Sequence, residues 1–182
     1  MAPLEAAPPA QPGLYAWWAI PDHLGDASPA IPPVLVGADG WSLLYVGIAP
    51  NSPSSSRNLA VRIGRDHEGG TIGNSTFRQS LAALLRRSLA LEPLAGYDRS
   101  RLVNEAPLTS WMDEHCGLTL VIAQAPWRYE RAVIARLDPP LDIRDGTHPF
   151  REEVQAARSA LRRDCGLPSP TNRLPAAGGG GR

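Results

Sequence analysis

Two short aromatic runs with a shared peculiarity dominate this sequence. GLYAWWAI begins at Gly13 and WSLLYVGIA begins at Trp41, and both are typical of β-strands. Alternation places a glycine and a tyrosine on the same face of each strand: Gly13 with Tyr15, and Tyr45 with Gly47. An interior glycine weakens a strand and is typical of a place where another backbone or a ligand comes close. If the two strands pair as antiparallel neighbours, both glycines and both tyrosines meet on one side of the sheet.

The tyrosines also have a plainer interpretation. A tyrosine in a strand is often a core aromatic whose hydroxyl finds a backbone partner. Two glycine–tyrosine pairings in adjacent strands favour a functional site over that interpretation.

Helical periodicity follows the two strands. The segment after the second strand predicts a short helix from about Arg57, with Leu59 and Ile63 as its apolar stripe. The run GNSTFRQSLAALLRRSLAL predicts the clearest helix of the chain, and Thr76 and Gln79 have the spacing of a capping box at its start.

The second half of the chain repeats this mixture. PLTSWMDEHC predicts a short helix, the segment from Gly117 to about Gln124 a third strand, and Pro126 the first turn of another helix. A last helix runs from about Phe150 to Arg163. This order predicts an α/β domain of the α+β type, with a small antiparallel sheet of about three strands flanked by helices.

Length and composition bound the domain organisation. With 182 residues, one domain with a real core is expected. We predict a disordered Pro/Ala-rich segment over 1–12, a folded domain over 13–165 and a disordered Pro/Gly-rich tail over 166–182.

Charge and targeting signals narrow the function classes. Basic and acidic residues balance at 18 each, so net charge alone does not point to nucleic acid. Every basic residue is arginine, which excludes a lysine nucleophile or a phosphate-loop lysine. Without a signal peptide or a long apolar run, we expect no membrane association and a cytoplasmic protein. Cys116 and Cys165 have no neighbouring ligands that would suggest a zinc site.

Glu130 is anomalous within its predicted helix. Val133, Ile134 and Leu137 follow it at helical intervals, so its carboxylate falls on the apolar stripe. A buried carboxylate is costly unless it is paired or bound to a cation. Two plainer explanations remain open, because acidic residues are favourable at helix N-termini and because the end of the stripe can reach solvent.

Three basic residues and a histidine are the other candidates. Arg62 and His67 border the apolar stripe of the short helix, where an arginine can form a phosphate fork or simply extend to solvent. Arg65 is an alternative to Arg62 for this phosphate contact, and helical periodicity distinguishes the two residues only weakly. Arg78 lies at a helix N-terminus, which is a natural anion site, and capping does not explain it.

Together these residues resemble the GIY-YIG nuclease superfamily, in its small bacterial stand-alone and restriction-enzyme-like branch. The resemblance covers about 13–145. It rests on GLY at 13–15, YVG at 45–47, Arg62, His67, Glu130, PPLD at 139–142, and the stretch RIGRDHEGGTIGNSTFRQSLAALL.

The resemblance implies hydrolysis of DNA phosphodiester bonds with one divalent cation, Mg²⁺ or Mn²⁺. Tyr45 matches the tyrosine that takes a proton from the attacking water, and Tyr15 the tyrosine that bonds into the same network. Arg62 would hold the scissile phosphate, His67 would orient the Tyr45 hydroxyl, and Glu130 would bind the metal.

The resemblance also implies a nucleic-acid interface. Gly13 and Gly47 would leave a groove in which a sugar-phosphate backbone approaches the hydroxyls. Arg65 and Arg78 would contact DNA beside it. A homodimer is a further possibility, because few residues remain to build a separate DNA-reading unit.

Three departures bear on activity. The insertion between the first two strands, over 21–40, must loop out. Ile48 replaces a lysine found in some relatives, and Asp142 replaces a frequent asparagine, where it could add a metal ligand or repel the phosphate. The alternatives are therefore a weak or inactive binding module of the same fold, for nucleic acid or protein, and a scaffold unrelated to nucleic acid.

Overall fold

The computed structural model describes residues 7–24 and 40–168. The predicted tail from 169 and most of the 21–40 insertion lie outside these residues. Within them, the backbone carbonyls of Pro9 and Gln11 accept hydrogen bonds from Ala60 and Leu59, at 3.1 and 2.9 Å. No helix of the described residues is long and apolar enough to cross a membrane.

Three antiparallel strands form one sheet, as the sequence predicts. Strand β1 spans Gly13–Ala19, β2 spans Ser42–Ala49, and β3 spans Cys116–Ile122. The strand order is β2-β1-β3, so the first strand lies at the centre. In the register Tyr15 faces Gly47 and Trp17 faces Tyr45, which brings both tyrosines to one face.

Residues on both faces of β2 are buried along its whole length. On the tyrosine face it contributes to the main core, and on the other face Leu43 and Val46 pack with Ile134 in a smaller cluster. The register skips Leu44, and this bulge lets neighbouring leucines of one strand enter both clusters.

The outer edge of β2 is closed by the chain after the last strand. The Leu141 N–H donates to the Leu44 carbonyl at 3.0 Å, and the Val46 N–H donates to Asp142 Oδ2 at 2.7 Å. An edge strand otherwise presents unpaired backbone groups. Asp142 therefore has a structural function in addition to any chemistry.

The helices are a π-helix over Val61–Glu68, α1 over Thr76–Leu85, α2 over Ala106–His115, α3 over Glu130–Leu137 and α4 over Arg151–Asp164. Helix α1 packs against α4. A short 3₁₀ turn, Pro126–Arg128, precedes α3, so the helix predicted from Pro126 is interrupted.

The start of α1 differs from the prediction by one residue. The N-cap is Ser75, whose Oγ accepts the Arg78 backbone N–H at 3.1 Å. The capping box expected of Thr76 and Gln79 is wrong, because both side chains bond elsewhere: Thr76 to Tyr45, and Gln79 to Ser100 and Arg158. The tertiary contacts have displaced the local capping pattern.

Candidate functional site

The Tyr15 hydroxyl lies at the centre of a buried polar network. It lies 2.7 Å from His67 Nε2 and accepts the Arg62 Nε–H at 3.1 Å. Burial raises the pKa of Tyr15 well above 10, and the nearby Tyr45 adds to the rise, while Arg62 opposes it. Tyr15 is consequently a neutral phenol that connects the histidine to the arginine.

The space beside each of the two strand glycines is filled by other groups of this protein. A β-carbon at Gly47 would lie 2.3 Å from the Tyr15 hydroxyl oxygen, and one at Gly13 would lie 2.3 Å from the Val121 carbonyl oxygen of β3. Real β-carbons do not approach so closely. The prediction that Gly13 and Gly47 leave a groove for a nucleic-acid backbone is therefore wrong, because the Tyr15 ring and the adjacent strand occupy that space.

The π-helix sets the direction of Arg62. A π-helix has more residues in each turn than an α-helix, and such segments are frequent at functional sites. The Asp66 carboxylate forms ion pairs with both Arg62 and Arg57, at N–O distances of 3.3 and 2.6 Å. Burial opposes the charge of Arg62, but Tyr15, Tyr45 and Asp66 together raise its pKa, so the guanidinium stays cationic.

Arg65 lies on another side of this helix. Its side chain is exposed and lines a separate shallow depression with Arg57, Gly69 and Asn74. The ambiguity between the two arginines is thus resolved: Arg62 lines the tyrosine cleft and Arg65 does not.

His67 is fully buried and connects Tyr15 to the start of α1. Its Nδ1 lies 2.7 Å from Ser75 Oγ, so both ring nitrogens have partners. Burial, followed by the charges of Arg62 and Arg78, lowers the pKa of His67 well below 6.5. The interpretation that His67 orients the Tyr45 hydroxyl is wrong, because its hydrogen bonds go to Tyr15 and Ser75.

Tyr45 has a different partner. Its hydroxyl lies 3.1 Å from Thr76 Oγ1, and the Tyr15 and Tyr45 ring centres are 6.3 Å apart. Burial, followed by the charge of Asp142, raises the pKa of Tyr45, while the Thr76 hydrogen bond and Arg62 lower it. The hydroxyl faces the cleft and is held by the first residue of α1.

Arg78 has a structural function. Its side chain is 0% exposed; the guanidinium donates to the His67 carbonyl at 2.7 Å and to Thr109 at 3.0 Å, and pairs with Glu105 at 3.1 Å. The prediction that Arg78 contacts nucleic acid is wrong, because these partners enclose it. It ties the π-helix and α2 to α1.

One side of the cleft is acidic. Glu130 begins α3 with a side chain that is 25% exposed, and its Oε2 lies 4.0 Å from an Arg144 nitrogen. Burial raises the pKa of Glu130, and Arg144 opposes the rise. Burial also raises the pKa of Asp142 to about 8. The hydrogen bond from the Val46 N–H opposes this rise, and the charge of Glu130 adds to it.

These carboxyl groups fit a hard divalent cation in part. Mg²⁺ is commonly held by one or two carboxylates together with waters and substrate phosphates. Glu130 and Asp142 line the same cleft, and the charge of Glu130 contributes to the raised pKa of Asp142. Among the described residues no group of three or more His, Cys, Asp or Glu side chains could form a closed metal site. The donor set therefore suits a cation completed by substrate oxygens.

A cleft of about 1190 Å³ joins these groups. It is lined by both tyrosines, Arg62, Thr76, Glu130 and Asp142. Its other wall is the face of α4 that carries Arg151, Arg158 and Arg162.

Sequence reasoning missed several residues of the site. The capping pattern accounts for Thr76 without a site function, and no pattern in the sequence singles out Ser75 or Asp66. The three α4 arginines could have been found from the sequence, because Arg151, Arg158 and Arg162 each follow an apolar residue on one side of the predicted helix, namely Phe150, Ala157 and Leu161.

Comparison with known proteins identifies one family. A family model described as "GIY-YIG catalytic domain" matches residues 13–164. No curated protein and no solved structure matches the chain.

Proposed function

Because this chain belongs to the GIY-YIG family, whose catalytic domain is that of nucleases, we propose that it is a metal-dependent endonuclease that hydrolyses DNA through a tyrosine-activated water. One observation carries the proposal. The Tyr45 hydroxyl, the Arg62 guanidinium and the Glu130 carboxylate line one cleft. This set combines a group that can accept a proton, a cation for phosphate and a ligand for a metal ion.

The proposed reaction is an in-line displacement at phosphorus. The oxygen of a water molecule forms a bond to phosphorus as the Tyr45 phenolate accepts its proton. The bond to the leaving sugar oxygen breaks, and that oxygen keeps the electron pair and takes a proton from solvent. Arg62 holds the phosphate oxygens that gain charge. A divalent cation on Glu130, Mg²⁺ or Mn²⁺, would supply positive charge that stabilises the leaving oxygen.

Tyr45 must ionise to act as a base, and its surroundings decide how readily it does. A phenol with a pKa near ~10 is a weak base at neutral pH, and burial raises that pKa further here. Thr76 and Arg62 both favour the phenolate. In this scheme Tyr15 and His67 stay neutral and hold Arg62 in position.

The experiment is nicking of supercoiled plasmid with Mg²⁺, with Mn²⁺ and with EDTA. We expect metal-dependent nicking that is lost, by about 10²-fold or more, in Tyr45→Phe and in Glu130→Gln. Tyr97→Phe and Glu114→Gln are matched controls, since both side chains are exposed and lie outside the cleft. Nicking that survives both cleft substitutions would reject the proposed chemistry.

Asp142 favours a second candidate function, a binding module with weak or no turnover. Its charge raises the pKa of Tyr45 and so opposes formation of the phenolate. If the wild type binds DNA without cutting it and Asp142→Asn gains cleavage, the binding module is supported.

The proposed setting is the cytoplasm, where thiols stay reduced. Cys116 and Cys165 are both free and buried, which supports a chain that does not depend on disulfides. A homodimer stays a prediction that light scattering of the purified protein measures.

A further inference from the structure

Helix α4 presents three arginines to the cleft. Arg151, Arg158 and Arg162 are spaced by seven and four positions, which places them on one face of the helix. From the first to the last, this face extends about 16 Å along the helix axis. We refer to these three residues as the α4 arginine face.

The charges of the α4 arginine face have no acidic partners within the described residues. Arg158 donates from Nε to Gln79 Oε1 at 3.0 Å, and Arg162 donates to the Pro168 carbonyl at 3.2 Å. The Nε atoms of Arg151 and Arg162 are buried without any hydrogen-bond partner among those residues. In contrast, Arg86, which follows α1, lies outside the cleft and pairs with Asp164 at the end of α4.

This arrangement is unfavourable without an anion. Burial, followed by the neighbouring charge of Arg162, lowers the pKa of Arg158, while Tyr45 opposes the fall. Like charges on adjacent helical turns repel each other. An anion in the cleft would relieve both effects.

The extent of the face indicates what kind of anion it fits. A single phosphate meets one or two guanidinium groups, whereas a row of about 16 Å is long enough to meet several successive phosphates of one strand, which rise by about 3.4 Å each along the duplex axis. The middle residue of the row, Arg158, bonds to Gln79 and senses the charge of Tyr45, and all three arginines line the same cleft as Tyr45.

We propose that the α4 arginine face binds phosphates of the DNA strand that lies in the cleft around the bond to be cut. This inference rests on the proposed nuclease function and adds the surface that holds the substrate. Such phosphate contacts would fix the position and orientation of the DNA in the cleft, and they carry no sequence information directly.

The test separates binding from cleavage. In a Tyr45→Phe background, the affinity for a short fluorescein-labelled DNA duplex is measured by anisotropy between about 50 and 200 mM salt. We expect Arg151→Gln and Arg162→Gln each to weaken binding about 3- to 10-fold and to reduce the salt slope by about one. Arg163→Gln is the matched control, since Arg163 is the exposed neighbour of Arg162 and lies outside the cleft.

The double variant Arg151→Gln/Arg162→Gln is also assayed for nicking in the otherwise wild-type protein, with its melting temperature as a check on folding. We expect KM to rise by a larger factor than kcat falls. If the double variant binds with the affinity and salt slope of its parent, the inference is wrong even where the wild type cuts DNA. If the salt slope of the double variant falls by about two while the wild type cuts no DNA, the inference that this face binds DNA is supported and the nuclease proposal fails. The inference about the surface is also wrong if the Tyr45→Phe parent does not bind the duplex, or if Arg163→Gln loses as much affinity as the two cleft variants.

Discussion

The ring of Tyr15 fills the space that a side chain at position 47 would need. A β-carbon on Gly47 would lie 2.3 Å from both the Tyr15 hydroxyl oxygen and the adjoining ring carbon. The two residues face each other across β1 and β2. The glycine therefore decides where the Tyr15 hydroxyl meets Arg62 and His67.

We expect Gly47→Ala to move the Tyr15 ring and to lower both stability and activity. Overpacking of a buried site typically costs about 1–3 kcal/mol in the free energy of unfolding, and the displaced hydroxyl loses its bonds to Arg62 and His67. Urea unfolding and plasmid nicking measure the two effects. Gly64→Ala is the control, because a β-carbon there meets nothing within 4 Å. Equal behaviour of the two variants would contradict this account.

Thr76 positions the Tyr45 hydroxyl and favours its ionised form. We expect Thr76→Val to reduce kcat about tenfold and to move the ascending limb of the pH–rate profile to higher pH, because the pKa of Tyr45 rises when this bond is lost. Thr76→Ser should restore both values, since it keeps a hydroxyl. The α1 cap is unaffected because Ser75 provides it. An unchanged pH profile in Thr76→Val would exclude this function of Thr76.

Asp142 makes the stability of the fold depend on pH. Its pKa is about 8 in the folded protein against an ordinary value of 3.8, so its protonated form stabilises the fold at low pH. That contribution is complete below about pH 4 and is lost as the pH rises through about 8. We expect the wild type to lose stability relative to Asp142→Asn across this window, by about 1.4 kcal/mol per pH unit at most.

The measurement is urea unfolding of both proteins at about pH 5 and about pH 8.5. An amide oxygen at position 142 can still accept the Val46 N–H, so the edge of β2 stays closed. Groups that titrate in both proteins cancel in the comparison. Parallel stability curves for the two proteins would refute a raised pKa at Asp142.

Arg78 is expected to govern stability and not DNA affinity. Arg78→Gln leaves Glu105 without its cation and removes bonds to the His67 carbonyl and Thr109. Breaking a buried ion pair costs about 3–5 kcal/mol, which urea unfolding would detect. Arg65→Gln, at an exposed arginine, should change stability by less than about 0.5 kcal/mol. A stable Arg78→Gln variant with weakened DNA binding would reverse this conclusion.

The local pattern predicted the elements better than it predicted their partners. Alternation identified β1 and β2 and put Tyr15 and Tyr45 on one face, because side-chain direction in a strand follows directly from sequence position. The π-helix is where this approach failed. A helical wheel at 100° per residue does not describe its wider turns, so the direction of Arg62, Arg65 and His67 could not be read from spacing.

The sequence alone determined the three strands, the helical segments and the resemblance to the GIY-YIG family, because these depend on periodicity and on residues near one another in the chain. Only the tertiary structure decided which groups meet across long separations. His67 reaches Tyr15, Asp142 reaches the edge of β2, and α4 brings Arg158 to Gln79. Such contacts depend on how whole elements pack, and each buried polar group takes the partner that packing brings within hydrogen-bond distance.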